Sequence, residues 1–301
     1  MKKTVFLGAL TIAALTAGVA SAATLDDVKA RGSLNCGVTT GLVGFAAPDA
    51  NGVWEGFDVG ICRAVAAAIF GDPTAVEFVP TTGQTRFTAL ASGEIDLLAR
   101  NTTWTFSRDT DLKFEFVGVN YYDGQGFMVP KDLGVSSAKD LDGATVCIQT
   151  GTTTELNLAD FFRTNGISYE PVPIETNAEA QQQYLAGACD VYTTDASGLA
   201  ATRATFENPG EHALLPEIIS KEPLGPLVRH GDNEWGDIAM WVLNALVSAE
   251  EMGITSANIA ELSAAPTNNP EINRILGTED EPIWTMPAIC SPVFKPNMER
   301  A

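Results

Sequence analysis

The sequence predicts an α/β protein that is built as two lobes around a central cleft. Three observations lead to this prediction. Strands and helices alternate in two successive cycles, an extended and turn-rich segment follows each cycle, and 45% of the 301 residues are hydrophobic. Such a composition is typical of a chain that buries a large core. The two extended segments indicate that the chain crosses between the lobes twice, at two hinges.

The first cycle opens with a helix that the spacing of its apolar residues predicts. These residues share one helical face and are Phe57, Ile61, Val65, Ala68 and Ile69. A turn over residues 71–73, which contains Gly71 and Pro73, closes the helix. A strand at 76–79, a short helix at 85–92, a strand at 96–99 and a polar loop at 100–111 follow. This alternation is a βαβ pattern.

The second cycle starts near Phe127 and repeats the first in architecture but not in sequence. It is predicted to contain strands at 144–148, 168–172 and 191–194 and helices at 153–164 and 178–185. The extended segments lie at 119–132 and 215–232, and a helix that buries Trp235 and Val242 comes after them.

This organisation divides the chain into two lobes. We assign residues 24–126 and 223–281 to lobe 1 and residues 127–222 to lobe 2. The cleft where strand ends of both lobes meet is the expected place for a ligand.

The first 23 residues are predicted to be a secretory signal peptide. Lys2 and Lys3 form a basic start, residues 5–20 form an apolar run, and the small residues 20–22 provide a cleavage site. The apolar run is shorter than the roughly 20 residues that a membrane-spanning helix needs. Because the first cysteine is Cys36, none is placed for lipid attachment. We therefore expect export to a bacterial periplasm without a lipid anchor.

The net charge excludes two classes of partner. The chain carries 38 acidic and 18 basic side chains, a formal charge of −20, with no lysine- or arginine-rich stretch. A nucleic-acid backbone or an anionic membrane surface would repel such a protein. We expect neither as a partner.

An oxidising compartment changes the interpretation of the five cysteines. Two local disulfides, Cys36 to Cys62 and Cys147 to Cys189, are the natural hypothesis. Four cysteines allow three connectivities, Cys290 adds more, and buried free thiols are the alternative.

The polar loop ends in an arginine that could bind a carboxylate. Asn101, Thr103 and Arg108 follow a predicted strand, and a guanidinium group with nearby hydroxyl groups suits a carboxylate. The alternative is that Arg108 pairs with Asp109 or Asp111 on a solvated surface.

Two further candidates lie at predicted strand ends of lobe 2. Thr152 and Thr153 precede a helix, where hydroxyl and backbone N–H groups can bind an anion or simply cap the helix. Asp195 follows another strand, where its carboxylate could hold an ammonium group or act as an N-cap. Residue types alone leave both pairs of alternatives open.

Signals for catalysis are poor. His212 and His230 are the only histidines, and the sequence contains no HExxH, GxSxG or GxxxxGK[ST] motif. We expect neither a metal nor another cofactor, and no enzymatic activity.

Several segments resemble the periplasmic solute-binding proteins of polar amino-acid ABC transporters, and among them the general L-amino-acid binding proteins. The resemblance runs from about residue 25 to about residue 277 and is carried by segments 34–38, 56–59, 86–90, 100–108, 151–158 and 189–195. It implies the type 2 periplasmic-binding-protein fold and a receptor that closes its lobes on a ligand.

The resemblance also implies a role for each candidate residue. Arg108, with Thr103 and the backbone near Asn101, would grip the α-carboxylate of an amino acid. Thr152 and Thr153 would complete that carboxylate site. Asp195 would take the α-ammonium group, and Arg86 would reach the side chain of the ligand.

The expected ligand and partners follow from the same resemblance. Thr39 stands where strictly acidic-specific members tend to carry a second arginine. This favours a range of polar L-amino acids that includes glutamate, glutamine, aspartate and asparagine. The expected partner is an inner-membrane permease, and the receptor is expected to be a monomer. The rival hypothesis is an exported enzyme on the same fold, similar to the cyclohexadienyl dehydratases.

The last segment departs from the family pattern. Residues 282–301 contain Pro282, Pro287 and Pro292 within eleven residues, which argues against a helix there. Our hypothesis is an aberrant tail that results from a frameshifted or truncated gene. Cys290, the odd cysteine, belongs to it.

Overall fold

The structure, a computed structural model, describes residues 23–278. The predicted signal peptide, apart from its last residue, and the predicted aberrant tail lie outside the described residues. The strands are β1 (Leu34–Thr39), β2 (Ala47–Pro48), β3 (Trp54–Glu55), β4 (Val76–Thr81), β5 (Leu97–Leu98), β6 (Phe114–Phe116), β7 (Tyr121–Asp123), β8 (Gln125–Pro130), β9 (Ala144–Gln149), β10 (Tyr169–Ile174), β11 (Val191–Asp195), β12 (His212–Leu214), β13 (Glu222–Leu224) and β14 (Leu227–Arg229).

The helices of the described residues lie mostly between these strands, and the last three follow β14. They are α1 (Thr24–Arg31), α2 (Phe57–Phe70), α3 (Arg86–Ser92), α4 (Thr153–Asn165), α5 (Asn177–Leu185), α6 (Ala196–Ala204), α7 (Asn233–Glu251), α8 (Ile259–Leu262) and α9 (Pro270–Leu276). The predicted α/β class is confirmed. None of these helices is long and apolar enough to cross a membrane.

Two five-stranded sheets form the centres of the two lobes. The order in lobe 1 is β4–β1–β5–β14–β6, and the order in lobe 2 is β10–β9–β11–β8–β12. In each sheet a central strand runs parallel to two neighbours, β1 in lobe 1 and β9 in lobe 2. Parallel strands end on the same edge of a sheet, so each lobe presents one edge of strand ends to the cleft.

Apolar helix faces cover both sheets. In lobe 1, α2 and α7 bury Val59, Val65 and Val242 against the sheet. In lobe 2, α4 packs through Leu158 and Phe162 on one face, while α5 and α6 pack on the other. Each fully buried side chain of this size contributes roughly 1.5–3 kcal/mol of transfer free energy.

The lobes are joined by a two-stranded hinge. β7 pairs antiparallel with β13, so that Tyr121 lies opposite Leu224 and Asp123 lies opposite Glu222. Gly225 follows directly, and a Cβ atom there would collide with the carbonyl oxygen of Gly118. The two crossings can therefore lie side by side only because this position has no side chain. The lobe boundaries at residues 126 and 222 stay a prediction.

Two disulfides connect strands to neighbouring elements. Cys36 of β1 is bonded to Cys62 of α2, with their Cα atoms 6.0 Å apart. Cys147 of β9 is bonded to Cys189, just before β11, with a Cα separation of 5.6 Å. These are the two pairs that the sequence predicts.

Removal of the Cys36–Cys62 bond is expected to destabilise the protein. The bond closes a loop between residues 26 positions apart. Its loss should lower the free energy of unfolding by about 2–4 kcal/mol, because the unfolded chain regains the entropy of that loop. Urea unfolding of a Cys36→Ala/Cys62→Ala variant measures the effect. A midpoint equal to that of the unmodified protein would contradict the expectation.

Candidate functional site

The facing edges of the two sheets enclose a polar cavity. The residues that line it are Arg86, Arg100, Asn101, Thr103, Gln149, Thr152, Thr153, Thr154, Thr194 and Asp195. Most of them stand at or directly after a strand end, or at a helix start. Six of the seven residues predicted for the ligand site therefore line one cavity, and Arg108 is the exception.

The loop after β5 turns its polar groups into this cavity through an unusual backbone conformation. Asn101 has a positive φ of 32°, which asparagine tolerates better than most residues. The backbone N–H of Asn101 donates to Oδ2 of Asp58 at 3.0 Å. Its Nδ2 reaches across the cleft to Oδ2 of Asp195 at 3.4 Å. Its Oδ1 is buried without a hydrogen-bond partner, which leaves an acceptor for a ligand.

Arg108 lies behind the cavity wall and not on the surface. A helical turn over Ser107–Asp111 directs it inward, where its Nη1 donates to the carbonyl oxygen of Thr103 at 2.8 Å. Asp109 instead accepts from Nε1 of Trp104 at 2.7 Å. The alternative, a surface pair of Arg108 with Asp109 or Asp111, is not found among the ion pairs of the described residues. Burial lowers the pKa of Arg108 to about 10.

The guanidinium group of Arg86 has donor capacity that the protein does not use. It is 2% exposed, and its two hydrogen bonds are long, 3.3 Å from Nη1 to Oγ1 of Thr102 and 3.4 Å from Nη2 to the carbonyl oxygen of Gly151. Its Nε has no partner. Burial, with the charges of Arg100 and Arg108, lowers its pKa well below the ordinary value. A carboxylate or amide oxygen would satisfy these donors.

The start of α4 forms the floor of the site in lobe 2. Oγ1 of Thr152 accepts from the backbone N–H of Glu155 at 3.3 Å, so the capping role proposed for this residue is present. Thr153 is the first residue of the helix, and its Oγ1 lies 3.3 Å from Oγ1 of Thr103 across the cleft. The positive end of the helix dipole also favours an anion here.

Asp195 ends β11 and lies at the start of α6, but its side chain makes no capping hydrogen bond. The capping alternative is therefore not observed. The residue is 6% exposed. Burial raises its pKa to about 7, the charges of Asp123 and Glu222 add to this effect, and Asn101 and Arg86 partly oppose it. A buried carboxylate of this kind suits an ammonium group that would pair with it.

Sequence reasoning missed three charged residues at this site. Asp58 of α2 is buried beneath the loop, and burial raises its pKa to about 7. Arg100 donates from Nε to the carbonyl oxygen of Thr81 at 3.0 Å. Glu222 of the hinge is 1% exposed and accepts from the hydroxyl groups of Thr103 and Thr153. Arg100 opens the polar loop and Asp58 lies in segment 56–59, which carries part of the family resemblance, whereas the sequence around Glu222 carries no such signal.

Thr39 also contributes across the cleft. Its Oγ1 accepts from Nδ2 of Asn177 at 3.1 Å. Together with the bonds of Asn101 and Thr103, this contact shows that the described conformation is closed, because groups of the two lobes touch directly. An amino acid between the lobes must replace some of these contacts.

Comparisons with known proteins match this chain to solute-binding proteins. The model of the bacterial extracellular solute-binding proteins, family 3, matches residues 34–257. The chain is 68% identical over 281 residues to the glutamate/glutamine/aspartate/asparagine-binding protein of Rhodobacter capsulatus, an alignment that covers 93% of this chain and 83% of that protein. It is 60% identical over 270 residues to the general L-amino acid-binding periplasmic protein of Rhizobium johnstonii, covering 90% of this chain and 79% of that protein.

A solved structure shares the fold. The periplasmic binding protein of an ABC transporter from Brucella ovis, with glutathione bound, superposes with a TM-score of 0.84 at 54% sequence identity, over 91% of this chain and 87% of that one. The chain belongs to family 3 of the bacterial extracellular solute-binding proteins. These relatives are binding proteins and not enzymes, which agrees with the prediction made from the absence of catalytic motifs.

The raised pKa values of the buried carboxylates predict how stability depends on pH. Asp58 and Asp195 have pKa values of about 7 in the folded protein, against an ordinary value of 3.8. Between these values the folded protein binds more protons than the unfolded chain, so the free energy of unfolding should fall as pH rises from 4 to 7. Together the two groups should lower the free energy of unfolding by about 5 kcal/mol between pH 5 and pH 8, roughly half of it from each carboxylate.

Urea unfolding of ligand-free protein at pH 5 and pH 8 checks this expectation. The Asp195→Asn variant removes one of the two titrating groups and should show a smaller difference between the two pH values. A variant with the same pH dependence as the unmodified protein would show that Asp195 does not contribute to it.

Proposed function

We propose that this protein is a periplasmic receptor for polar L-amino acids that closes its lobes on the ligand and delivers it to a membrane permease. The observation that carries the proposal is the placement of opposite charges in one cavity. Arg86 belongs to lobe 1 and Asp195 to lobe 2, with Arg108 directly behind the wall of lobe 1. The two charges of an amino-acid zwitterion match this arrangement.

The α-carboxylate is proposed to bind at the junction of Thr103 and the start of α4. Arg108 supplies positive charge there and holds the carbonyl group of Thr103. Thr152 and Thr153 bring the positive end of the helix dipole to the same point. The α-ammonium group is proposed to pair with Asp195 and to donate to the unpartnered Oδ1 of Asn101.

The ligand side chain is proposed to extend toward Arg86. Its unpartnered Nε and its two weakly bonded Nη atoms can donate to the oxygen of an amide or of a carboxylate. Thr39, which accepts a hydrogen bond from Asn177 of lobe 2, brings no charge of its own to the cleft. This combination favours glutamate, glutamine, aspartate and asparagine, and the ligands named for the R. capsulatus relative are the same four.

The remaining elements of the proposal concern context. Residues 1–23 would direct the chain to the periplasm, where it would act as a monomer without a lipid anchor. An inner-membrane ABC permease would receive the ligand from the closed form. The ABC transporter context of the B. ovis protein supports this partner.

A thermal-shift screen against the twenty L-amino acids tests the proposal. A ligand that binds only the folded protein raises its free energy of unfolding and therefore its melting temperature. At a ligand concentration one hundred times the dissociation constant, the gain in the free energy of unfolding is about 2.7 kcal/mol. We expect shifts with glutamate, glutamine, aspartate and asparagine and none with D-glutamate. A cooperative melt without any shift would overturn the proposal, and turnover of a prephenate-like compound would favour the rival enzyme.

Removal of the Arg108 side chain tests the carboxylate site. Arg108→Ala should weaken binding of L-glutamine by about 2–5 kcal/mol, because a buried carboxylate loses its charged neighbour. Isothermal titration calorimetry measures the change. Arg163→Ala is the matched control, since Arg163 is 78% exposed and pairs only with Asp160 on the surface of α4. Equal affinities of the two variants would exclude a role for Arg108.

A further inference from the structure

Glu222 is a charged side chain enclosed at the hinge. It lies on β13 and is 1% exposed. Its Oε2 accepts from Oγ1 of Thr103 in lobe 1 and from Oγ1 of Thr153 in lobe 2, the latter at 3.1 Å. Its Oε1 accepts from Nδ2 of Asn157 at 2.8 Å and from Oγ of Ser220. Two donors on each oxygen match the acceptor capacity of an ionised carboxylate.

This carboxylate shares its surroundings with the proposed ligand. Thr103 and Thr153, which donate to Glu222, also line the cavity. Neither Arg86 nor Arg108 lies within ion-pair distance of Glu222 in the described part of the chain. Burial lowers the pKa of both arginines, and the charge of Glu222 partly opposes that effect. Glu222 therefore acts on the guanidinium groups through its field, without a direct pair.

Glu222 balances the charges that are buried around the cleft. The other buried charges there are those of Arg86, Arg100, Arg108, Asp58 and Asp195. With all groups ionised, Glu222 brings the formal sum from +1 to zero. Net charge inside a low-dielectric region is energetically costly. When the charges of the surrounding groups already sum to zero, they do not offset the net charge that a ligand adds.

We propose that Glu222 determines which side-chain charge the cleft accepts, and that it allows amino acids with neutral amide side chains to compete with acidic ones. The inference rests on the proposed function. Glutamate and glutamine have nearly the same shape, but glutamate adds one negative charge. With Glu222 in place, that charge meets a balanced set of groups. Without Glu222, it would be attracted by an excess positive charge.

The ratio of two dissociation constants tests this role. Glu222→Gln retains the size of the side chain and removes its charge. The ratio of the dissociation constant for L-glutamine to that for L-glutamate should rise about tenfold, which corresponds to one unit charge acting over roughly 10 Å at an effective dielectric constant near 20. Calorimetric titrations of the purified protein at pH 7.5 give both constants. A loss of general stability or of lobe closure would weaken both ligands and leave the ratio unchanged.

Two variants serve as controls. Glu222→Asp keeps the charge but shortens the side chain, so its ratio should stay close to that of the unmodified protein even if both affinities fall. Glu115→Gln removes one carboxylate on β6 beside Gly236 of α7, away from the cleft, and should also keep the ratio. If the Glu222→Gln variant does not unfold cooperatively, the same ratio is measured with Glu222→Ser. The shorter side chain of that variant leaves room for water beside Thr103 and Thr153.

The outcomes separate the two proposals. A raised ratio in the variant supports the role of Glu222. An unchanged or lowered ratio, in a variant that still binds, overturns it and leaves the receptor function intact. If the unmodified protein binds neither L-glutamate nor L-glutamine, the proposed function itself is wrong.

Discussion

The cleft depends on one electrostatic constraint, which is that buried opposite charges face each other without pairing. Arginine side chains of lobe 1 and carboxylates of the hinge and of lobe 2 are nearly inaccessible to water. The ion pairs found among residues 23–278 all lie elsewhere. Burial of unpaired charges is unfavourable, and hydrogen bonds from hydroxyl, amide and backbone groups compensate only part of that cost. A ligand that carries both charges supplies the missing partners, so this constraint defines what the cleft can bind.

The scaffold holds these charges on rigid elements. Asp58 lies on α2, which the disulfide between Cys36 and Cys62 ties to β1. Asp195 ends β11, and the disulfide between Cys147 and Cys189 connects the start of that strand to β9. Each bond therefore braces an element that carries a buried charge, Asp195 in the cavity wall and Asp58 beneath the loop that lines the cavity. Groups that are fixed before the ligand arrives lose little entropy on binding, which is how a polar site gains affinity and selectivity.

The hinge contributes more than a connection between the lobes. Its strand β13 carries Glu222, whose carboxylate takes hydrogen bonds from Thr103 of one lobe and Thr153 of the other. Lobe separation must change this environment, because the two hydroxyl groups belong to different lobes. Lobe closure and the charge balance of the site are thus coupled through one residue. A ligand shifts the equilibrium toward the closed form only to the extent that it binds that form better.

The α/β class, the two cycles and the two crossings could be predicted from the sequence, because they follow from local spacing and from the order of elements along the chain. The two cysteine pairs were one hypothesis among several, and the structure selected them. The sequence also indicated Arg86, Asn101, Thr103, Thr152, Thr153 and Asp195, which the structure brings to one cavity. Only the tertiary structure decided that Asp58, Arg100 and Glu222 are buried charges beside that cavity. Their burial results from contacts between segments far apart in the chain, such as those of residues 103, 153 and 222. Arg100 opens the polar loop and Asp58 lies in a segment that resembles the family, but neither position reveals from the sequence that the charge is buried.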